Sequence, residues 1–241
     1  MGERPAFYAL TPGGWRDYWS LLHPPYTVWH LSCVVLGAAV APTLDMRWLG
    51  ETLLAFFLAM GIAAHALDEL HGRPLGTRIP GGVLVGLAAA GLAGAVALGI
   101  DGAREVSAWI WLFIATGLFL VPAYNLEWFG GLVHNDAGFA LAWGAFPALT
   151  AGFAQGGRLT AAEVVVAGGC AAAAAAQRAL STPVRRLRRK VVHVDGSLTL
   201  RDGATEPLDA AALRAAPEAG LRWLSLAMPL FAAGLLLARL S

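Results

Sequence analysis

The chain has 241 residues, of which 57% are hydrophobic and 14% are charged, and its formal net charge is +1. Soluble domains typically carry about 25% charged residues, so this composition excludes a disordered chain, a coiled coil, a disulfide scaffold and an ordinary soluble enzyme. The mean hydropathy of +0.60 instead indicates a multi-spanning membrane protein. Cys33 and Cys170 lie in apolar stretches and are interpreted as buried hydrophobic side chains.

Seven apolar stretches are long enough to cross a bilayer as helices, since one crossing takes about 20 residues. The N-terminal segment lacks the short apolar core of a signal peptide. We therefore predict an all-α, multi-spanning transmembrane bundle of about seven helices. The predicted spans are Tyr26–Leu44, Trp48–Leu70, Gly82–Ile100, Val106–Leu126, Ala137–Ala154, Ala161–Leu180 and Gly220–Leu240.

The distribution of arginine predicts the orientation of the bundle. The sixth stretch is followed by a basic cluster over residues 185–190, and Arg73 and Arg78 lie on the same side if seven spans alternate. The positive-inside rule then places the N-terminus in the cytoplasm and the C-terminus outside the cell membrane. Two interpretations of the cluster stay open: an anchor at anionic headgroups, and a direct hold on a substrate phosphate.

The polar segment Val191–Pro217 is the one part of the chain with a composition suited to water. Its alternating pattern around Asp195-Gly196 predicts a short cytoplasmic β-hairpin, and Asp209–Arg222 is predicted as an interfacial helix. Four regions follow: an N-terminal cytoplasmic segment, a six-span bundle, a basic loop with the hairpin, and the last span. Their bounds are 1–25, 26–182, 183–219 and 220–241.

The first cluster of polar residues lies at the predicted cytoplasmic end of the second span. His65, Asp68, Glu69 and His71 are spaced so that they share one face of a helix. Carboxylates in a last helical turn oppose the helix dipole, and a cation there would reverse the effect. Three interpretations stay open. They are a bound metal ion, carboxylates paired with Arg73 and other arginines at a hydrated helix end, and a site that handles protons or contacts the substrate.

The second cluster joins the fourth and fifth spans and contains Asn125, Glu127, His134, Asn135 and Asp136. Ionisable groups at membrane depth are costly and usually mark function. Both clusters lie on the cytoplasmic side, so we expect them to face one cavity. Beyond these clusters, Arg178 lies inside the end of the sixth span, and Arg185 begins the basic cluster that follows it.

Several known motifs are absent from the sequence: the phosphate-binding GxxxxGK[ST] loop, HExxH, GxSxG and GxGxxG. The basic cluster suits a membrane surface better than a nucleic acid, so we expect no nucleic-acid partner.

Five segments together resemble the UbiA superfamily of intramembrane prenyltransferases. Trp19–Pro25 precedes the first span as an Arg-Pro segment does in that family, and Arg73-Pro74-Leu75 follows the acidic helix end. Ile79-Pro80 begins the third span, Gly138–Pro147 resembles a glycine-rich Trp-Gly segment, and Gly157–Thr160 begins the sixth span.

The resemblance implies a UbiA-like bundle in which Mg²⁺ neutralises the leaving group of a prenyl diphosphate. The family's second aspartate-rich motif should follow the sixth span, and residues 177–185 contain no carboxylate there. The residues expected to be catalytic are Asp68, Glu69, Glu127 and Asp136. Those expected to bind substrate are Arg73, Asn125, Asn135, Arg178 and Arg185. Those expected to bind a metal are His65, Asp68, Glu69, His71, Glu127 and His134.

Three functions stay open from the sequence. The first, and favoured, is a UbiA-like enzyme that transfers a prenyl group or performs related chemistry on an isoprenoid or other membrane lipid. The second is a metal-dependent lipid-modifying oxidoreductase on the same scaffold, because a mixed nitrogen and oxygen ligand set also suits Fe, Mn or Zn. The third is a non-enzymatic lipid-binding or transport protein.

Overall fold

The computed structural model describes residues 4–241, and each long helix overlaps one of the seven apolar stretches. We number the helices and strands in chain order. They are α1 (Trp15–Leu21), α2 (Pro24–Ala39), α3 (Met46–Leu70), α4 (Gly81–Glu105), α5 (Ile110–Asn125), α6 (Asp136–Ala154), α7 (Ala161–Arg189), β1 (Ser197–Thr199), β2 (Thr205–Pro207) and α8 (Ala210–Leu240).

Within residues 4–241, five helices are long and apolar enough to cross a membrane: α3, α4, α6, α7 and α8. They indicate a multi-pass membrane protein. The helices α2 and α5 have 16 residues each, and at 1.5 Å per residue such a helix is about 24 Å long, shorter than a typical hydrocarbon core. The predicted count of seven spans is therefore supported for five helices.

Local sequence signals explain where the helices begin. Asp45 accepts a hydrogen bond from the backbone N–H of Arg47 at the start of α3, and Asp209 accepts one from Ala212 at the start of α8. Thr160 and Glu163 form a capping box at the start of α7. Each cap satisfies backbone N–H groups that a first helical turn leaves without partners.

Glycine lets three pairs of helices pack with their backbones in contact. A Cβ atom on Gly37 of α2 would lie 2.0 Å from the carbonyl oxygen of Ala148 in α6. Gly144 brings α6 against α7 at Cys170 in the same way, and Gly91 brings α4 against α3. No larger residue fits these crossings without moving a helix.

Two helices contain π-helical segments, at Phe57–Ala64 in α3 and Leu141–Ala145 in α6. Their wider turns change which residues share a helix face, and such segments are frequent at functional sites. Both precede or contain residues that line the cavity described below.

The polar segment before α8 does form a two-stranded antiparallel sheet, but the predicted turn at Asp195-Gly196 is wrong. Leu198 pairs with Glu206, and the chain turns between Leu200 and Ala204, where Gly203 adopts a left-handed φ of 86°. The predicted interfacial helix and last span are one continuous helix, α8.

Candidate functional site

A polar cavity of about 790 Å³ lies among the ends of several helices. Its walls come from the N-terminal segment, the start of α2, the end of α3, the loop between α5 and α6, and the end of α7. Eight of the predicted site residues line it: His65, Asp68, His71, Asn125, Glu127, His134, Arg178 and Arg185. The structure therefore brings most of the two polar clusters and both α7 arginines to one chamber.

Glu69 is not part of this chamber, although it is adjacent in sequence to Asp68. The residue is 1% exposed, and its carboxylate accepts hydrogen bonds from the backbone N–H groups of Leu75 (2.9 Å) and Thr77 (2.8 Å). The sequence led us to expect a cation beside this carboxylate at the end of α3. Two backbone N–H groups of the α3–α4 loop stabilise its charge instead. Both of its oxygens hold that loop, so the structure does not bring Glu69, predicted as a metal ligand and catalytic group, to the other predicted site residues.

Three other predicted site residues either form hydrogen bonds with the backbone or lie at the surface. Arg73 donates from Nη1 to the carbonyl oxygen of Ile79 at 2.6 Å, so its guanidinium braces the same loop as Glu69. Asn135 caps α6 by accepting from the N–H of Gly138. Asp136 has an 87% exposed side chain and pairs with Nε of Arg178 at 2.6 Å. None of the three is among the described residues that line the cavity.

The six residues predicted as metal ligands are not assembled into one site. Within residues 4–241, no three His, Cys, Asp or Glu side chains are grouped so that they could hold a metal ion. His65 and His134 each direct Nδ1 at a backbone carbonyl oxygen, of Gly61 (3.1 Å) and Tyr124 (2.9 Å). A carbonyl oxygen only accepts, so Nδ1 carries a proton in each ring.

Positive charge dominates the cavity wall. The end of α7 contributes five cationic side chains, whereas the carboxylates in the described lining are Asp68 and Glu127. The five are Arg178, Arg185, Arg186, Arg189 and Lys190. Among them, Arg178 donates from Nη1 to the hydroxyl of Tyr124 in α5 at 2.5 Å. Because cationic groups outnumber carboxylates, the chamber attracts anions rather than cations.

The sequence did not single out a second group of side chains that line the cavity. Tyr8 hydrogen-bonds Nδ1 of His23 at 2.8 Å, and the His23 ring stacks on that of His65 with centroids 4.2 Å apart. Burial raises the pKa of Tyr8 well above its ordinary value. Burial, followed by the neighbouring His65, lowers the pKa of His23 well below its ordinary value. Both groups are therefore neutral near pH 7.

Backbone conformation also marks this region. His23 and Glu127 line the cavity with left-handed φ angles of 46° and 52°. Non-glycine residues in this conformation are uncommon and cluster at functional sites. His23 precedes Pro24-Pro25, a position that disfavours the right-handed helical conformation, whereas nothing in the sequence marked Tyr8.

An apolar crevice of about 130 Å³ adjoins the polar cavity among α3, α4, α5 and α6. Its lining is almost entirely hydrophobic and includes Gly117 and Phe146. Met60 and Trp143 line both the crevice and the cavity. The polar cavity and the apolar crevice are therefore adjacent, and together they present the two kinds of surface that an amphipathic molecule needs.

Comparison with known proteins finds no family model, curated protein or solved structure that matches this chain. The resemblance to the UbiA superfamily therefore stays a prediction.

Proposed function

We propose that this protein is an integral membrane enzyme of UbiA-like type that acts on an isoprenoid or related lipid with an anionic headgroup. The headgroup occupies the polar cavity and the hydrocarbon tail occupies the apolar crevice. The observation that carries the proposal is the junction at Met60 and Trp143, where a cationic chamber meets an apolar one. Such a pair of surfaces matches the two ends of one lipid.

The favoured reaction is transfer of the lipid's hydrocarbon group to an acceptor. In that step the C–O bond between an allylic carbon and a diphosphate breaks, and its electron pair leaves with the diphosphate. The carbon then bonds to a phenolic or alcoholic acceptor, which loses a proton. The α7 arginines Arg178 and Arg185 stabilise the charge on the departing group.

The proposed orientation follows the positive-inside rule. The basic end of α7, the start of α2 and the end of α3 all border the cavity. We place this end of the bundle at the cytoplasmic face of the cell membrane, with the N-terminus inside and the C-terminus outside. The cavity would then receive headgroups from the inner leaflet.

Binding of farnesyl diphosphate and inorganic diphosphate to the protein in nanodiscs tests the two-part site. The tail should make farnesyl diphosphate bind at least about tenfold more tightly, because it buries apolar surface in the crevice. Gly117→Leu fills the crevice and should remove this advantage while diphosphate binding stays unchanged. Gly86→Leu is the matched control, since Gly86 faces outward with no neighbouring heavy atom within 4 Å.

Equal affinities for the two ligands, or no effect of Gly117→Leu, would contradict the assignment of the crevice. Release of diphosphate from the bound lipid in the presence of a phenolic acceptor tests the enzymatic part. Binding without any release would instead support the non-enzymatic lipid-binding protein.

A further inference from the structure

Two of the four carboxylates predicted to be catalytic are held by other groups, and the other two line the cavity. Glu69 holds two backbone N–H groups, and Asp136 pairs with Arg178 on the surface. Asp68 and Glu127 are the carboxylates in the described lining, and no third ligand-type group joins them in a metal-holding arrangement within residues 4–241. The resemblance to the UbiA superfamily implies a second acidic motif after the sixth span, but residues 177–185 contribute arginines and no carboxylate. The clustered metal site that the resemblance implies is therefore not formed by residues 4–241.

The end of α7 supplies positive charge at the same place. Arg178, Arg185 and Arg189 are separated by seven and four residues, a spacing that puts all three on one face of the helix, and all three line the cavity. A guanidinium group presents several N–H donors in a planar fork that matches two oxygens of a phosphate. Three such groups along one wall provide a surface for a multiply charged anion.

Arg185 is the most informative of the three. It is half-buried, and in the part of the chain that the structure describes it pairs with no carboxylate. Its one hydrogen bond to a side chain there is a long one, 3.3 Å from Nη2 to the hydroxyl of Thr182. Arg178 and Arg189, on the same face of α7, carry the same charge and line the same cavity. Like charges gathered in a half-buried chamber are unfavourable without an anion between them.

The guanidinium group of Arg178 is held in place before any anion binds. Nε is held by Asp136 and Nη1 by the hydroxyl of Tyr124, at 2.6 and 2.5 Å. These two contacts fix the plane of the guanidinium and leave N–H donors of the group available to a ligand. Restricting the side chain in advance reduces the entropy that binding must overcome.

We infer that the α7 arginines bind a phosphate or diphosphate headgroup directly, without a divalent metal ion. This inference rests on the proposed function for the kind of lipid, and it goes further by replacing the metal with Arg178, Arg185 and Arg189. The first two of these arginines lie within residues 177–185, where the family's second acidic motif was expected and no carboxylate is present.

Binding of inorganic diphosphate to the full-length protein in nanodiscs, measured calorimetrically, tests the inference. Affinity in EDTA should equal the affinity in millimolar MgCl₂ within about twofold. Arg185→Gln should weaken binding on the order of tenfold, and Arg185→Lys should weaken it less because the charge remains. Arg158→Gln removes the same charge from an exposed position before α7 and should leave binding unchanged.

Three results would overturn the inference: binding that requires MgCl₂, no binding of diphosphate, or equal effects of Arg185→Gln and Arg158→Gln. Size-exclusion elution in detergent shows whether each variant is folded, and Arg189→Gln repeats the test at a second position. Magnesium-dependent binding of diphosphate, together with tighter binding of farnesyl diphosphate, would refute the metal-free site and leave the proposed function standing.

Discussion

Glu69 and Asp68 are adjacent in sequence but have different surroundings: Glu69 is bonded to the α3–α4 loop, and Asp68 lines the cavity. Substituting each residue separately therefore distinguishes an effect on stability from an effect on binding. Glu69→Gln keeps the size of the side chain but replaces one carboxylate oxygen by an NH₂ group. One of the two backbone donors, Leu75 N–H or Thr77 N–H, then loses its acceptor in a buried place. Asp68→Asn is the matched control, because Asp68 lines the cavity and makes no hydrogen bond of its side chain within residues 4–241.

The expected cost follows from the hydrogen bonds. One bond to a charged acceptor contributes about 1.5–3 kcal/mol, and a buried N–H left without a partner adds about 1–3 kcal/mol. Because these two contributions overlap, Glu69→Gln should lower the free energy of unfolding by about 2–4 kcal/mol. In a chain of this length that corresponds to a fall of roughly 5–15 °C in unfolding temperature. Asp68→Asn should change the free energy by less than about 0.5 kcal/mol.

Tryptophan fluorescence during thermal unfolding in detergent measures both variants, and calorimetric binding of diphosphate measures the site. We expect Glu69→Gln to lose stability, and Asp68→Asn to change diphosphate affinity while keeping stability. An unfolding temperature for Glu69→Gln equal to that of the unsubstituted protein would refute the assignment of Glu69 as the anchor of the α3–α4 loop.

Two further predictions concern packing and pH. Gly37→Ala places a Cβ against the backbone of Ala148 and should lower the free energy of unfolding by about 1–3 kcal/mol, because α2 must move away from α6. Gly86→Ala is the control: Gly86 lies in open space, so the unfolding temperature should stay unchanged or rise. Equal effects of the two substitutions would contradict the close packing of α2 and α6. Burial and the neighbouring His65 lower the pKa of His23 in the folded protein, so on acidification His23 is protonated in the unfolded chain before it is protonated in the folded one. The contribution of His23 to the free energy of unfolding should therefore be complete above about pH 6.5. Below that pH it should fall by up to about 1.4 kcal/mol per pH unit. Unfolding temperatures at about pH 7 and pH 5 should therefore differ less for His23→Gln than for the unsubstituted protein, and an unchanged difference would refute the role of His23.

Much of the architecture could be predicted from the sequence because helix formation and membrane insertion depend on local composition. Each of the seven apolar stretches overlaps a helix, and the caps at Asp45, Thr160 and Asp209 are visible as residue types that accept from backbone N–H groups. The hairpin was predicted in the right segment but with the wrong turn, since Asp195-Gly196 and Asp202-Gly203 offer the same local signal. Cross-strand pairing decided between them.

The sequence by itself determined a multi-pass helical protein with polar residues concentrated at particular helix ends, because hydropathy and charge act over one helix length. Only the tertiary structure decided which of those residues meet. Asp68 and Glu69 differ by one position, yet one lines the cavity and the other is enclosed by the α3–α4 loop. A residue's partners depend on how its helix is rotated and on where distant loops return, and spacing along the chain contains neither quantity.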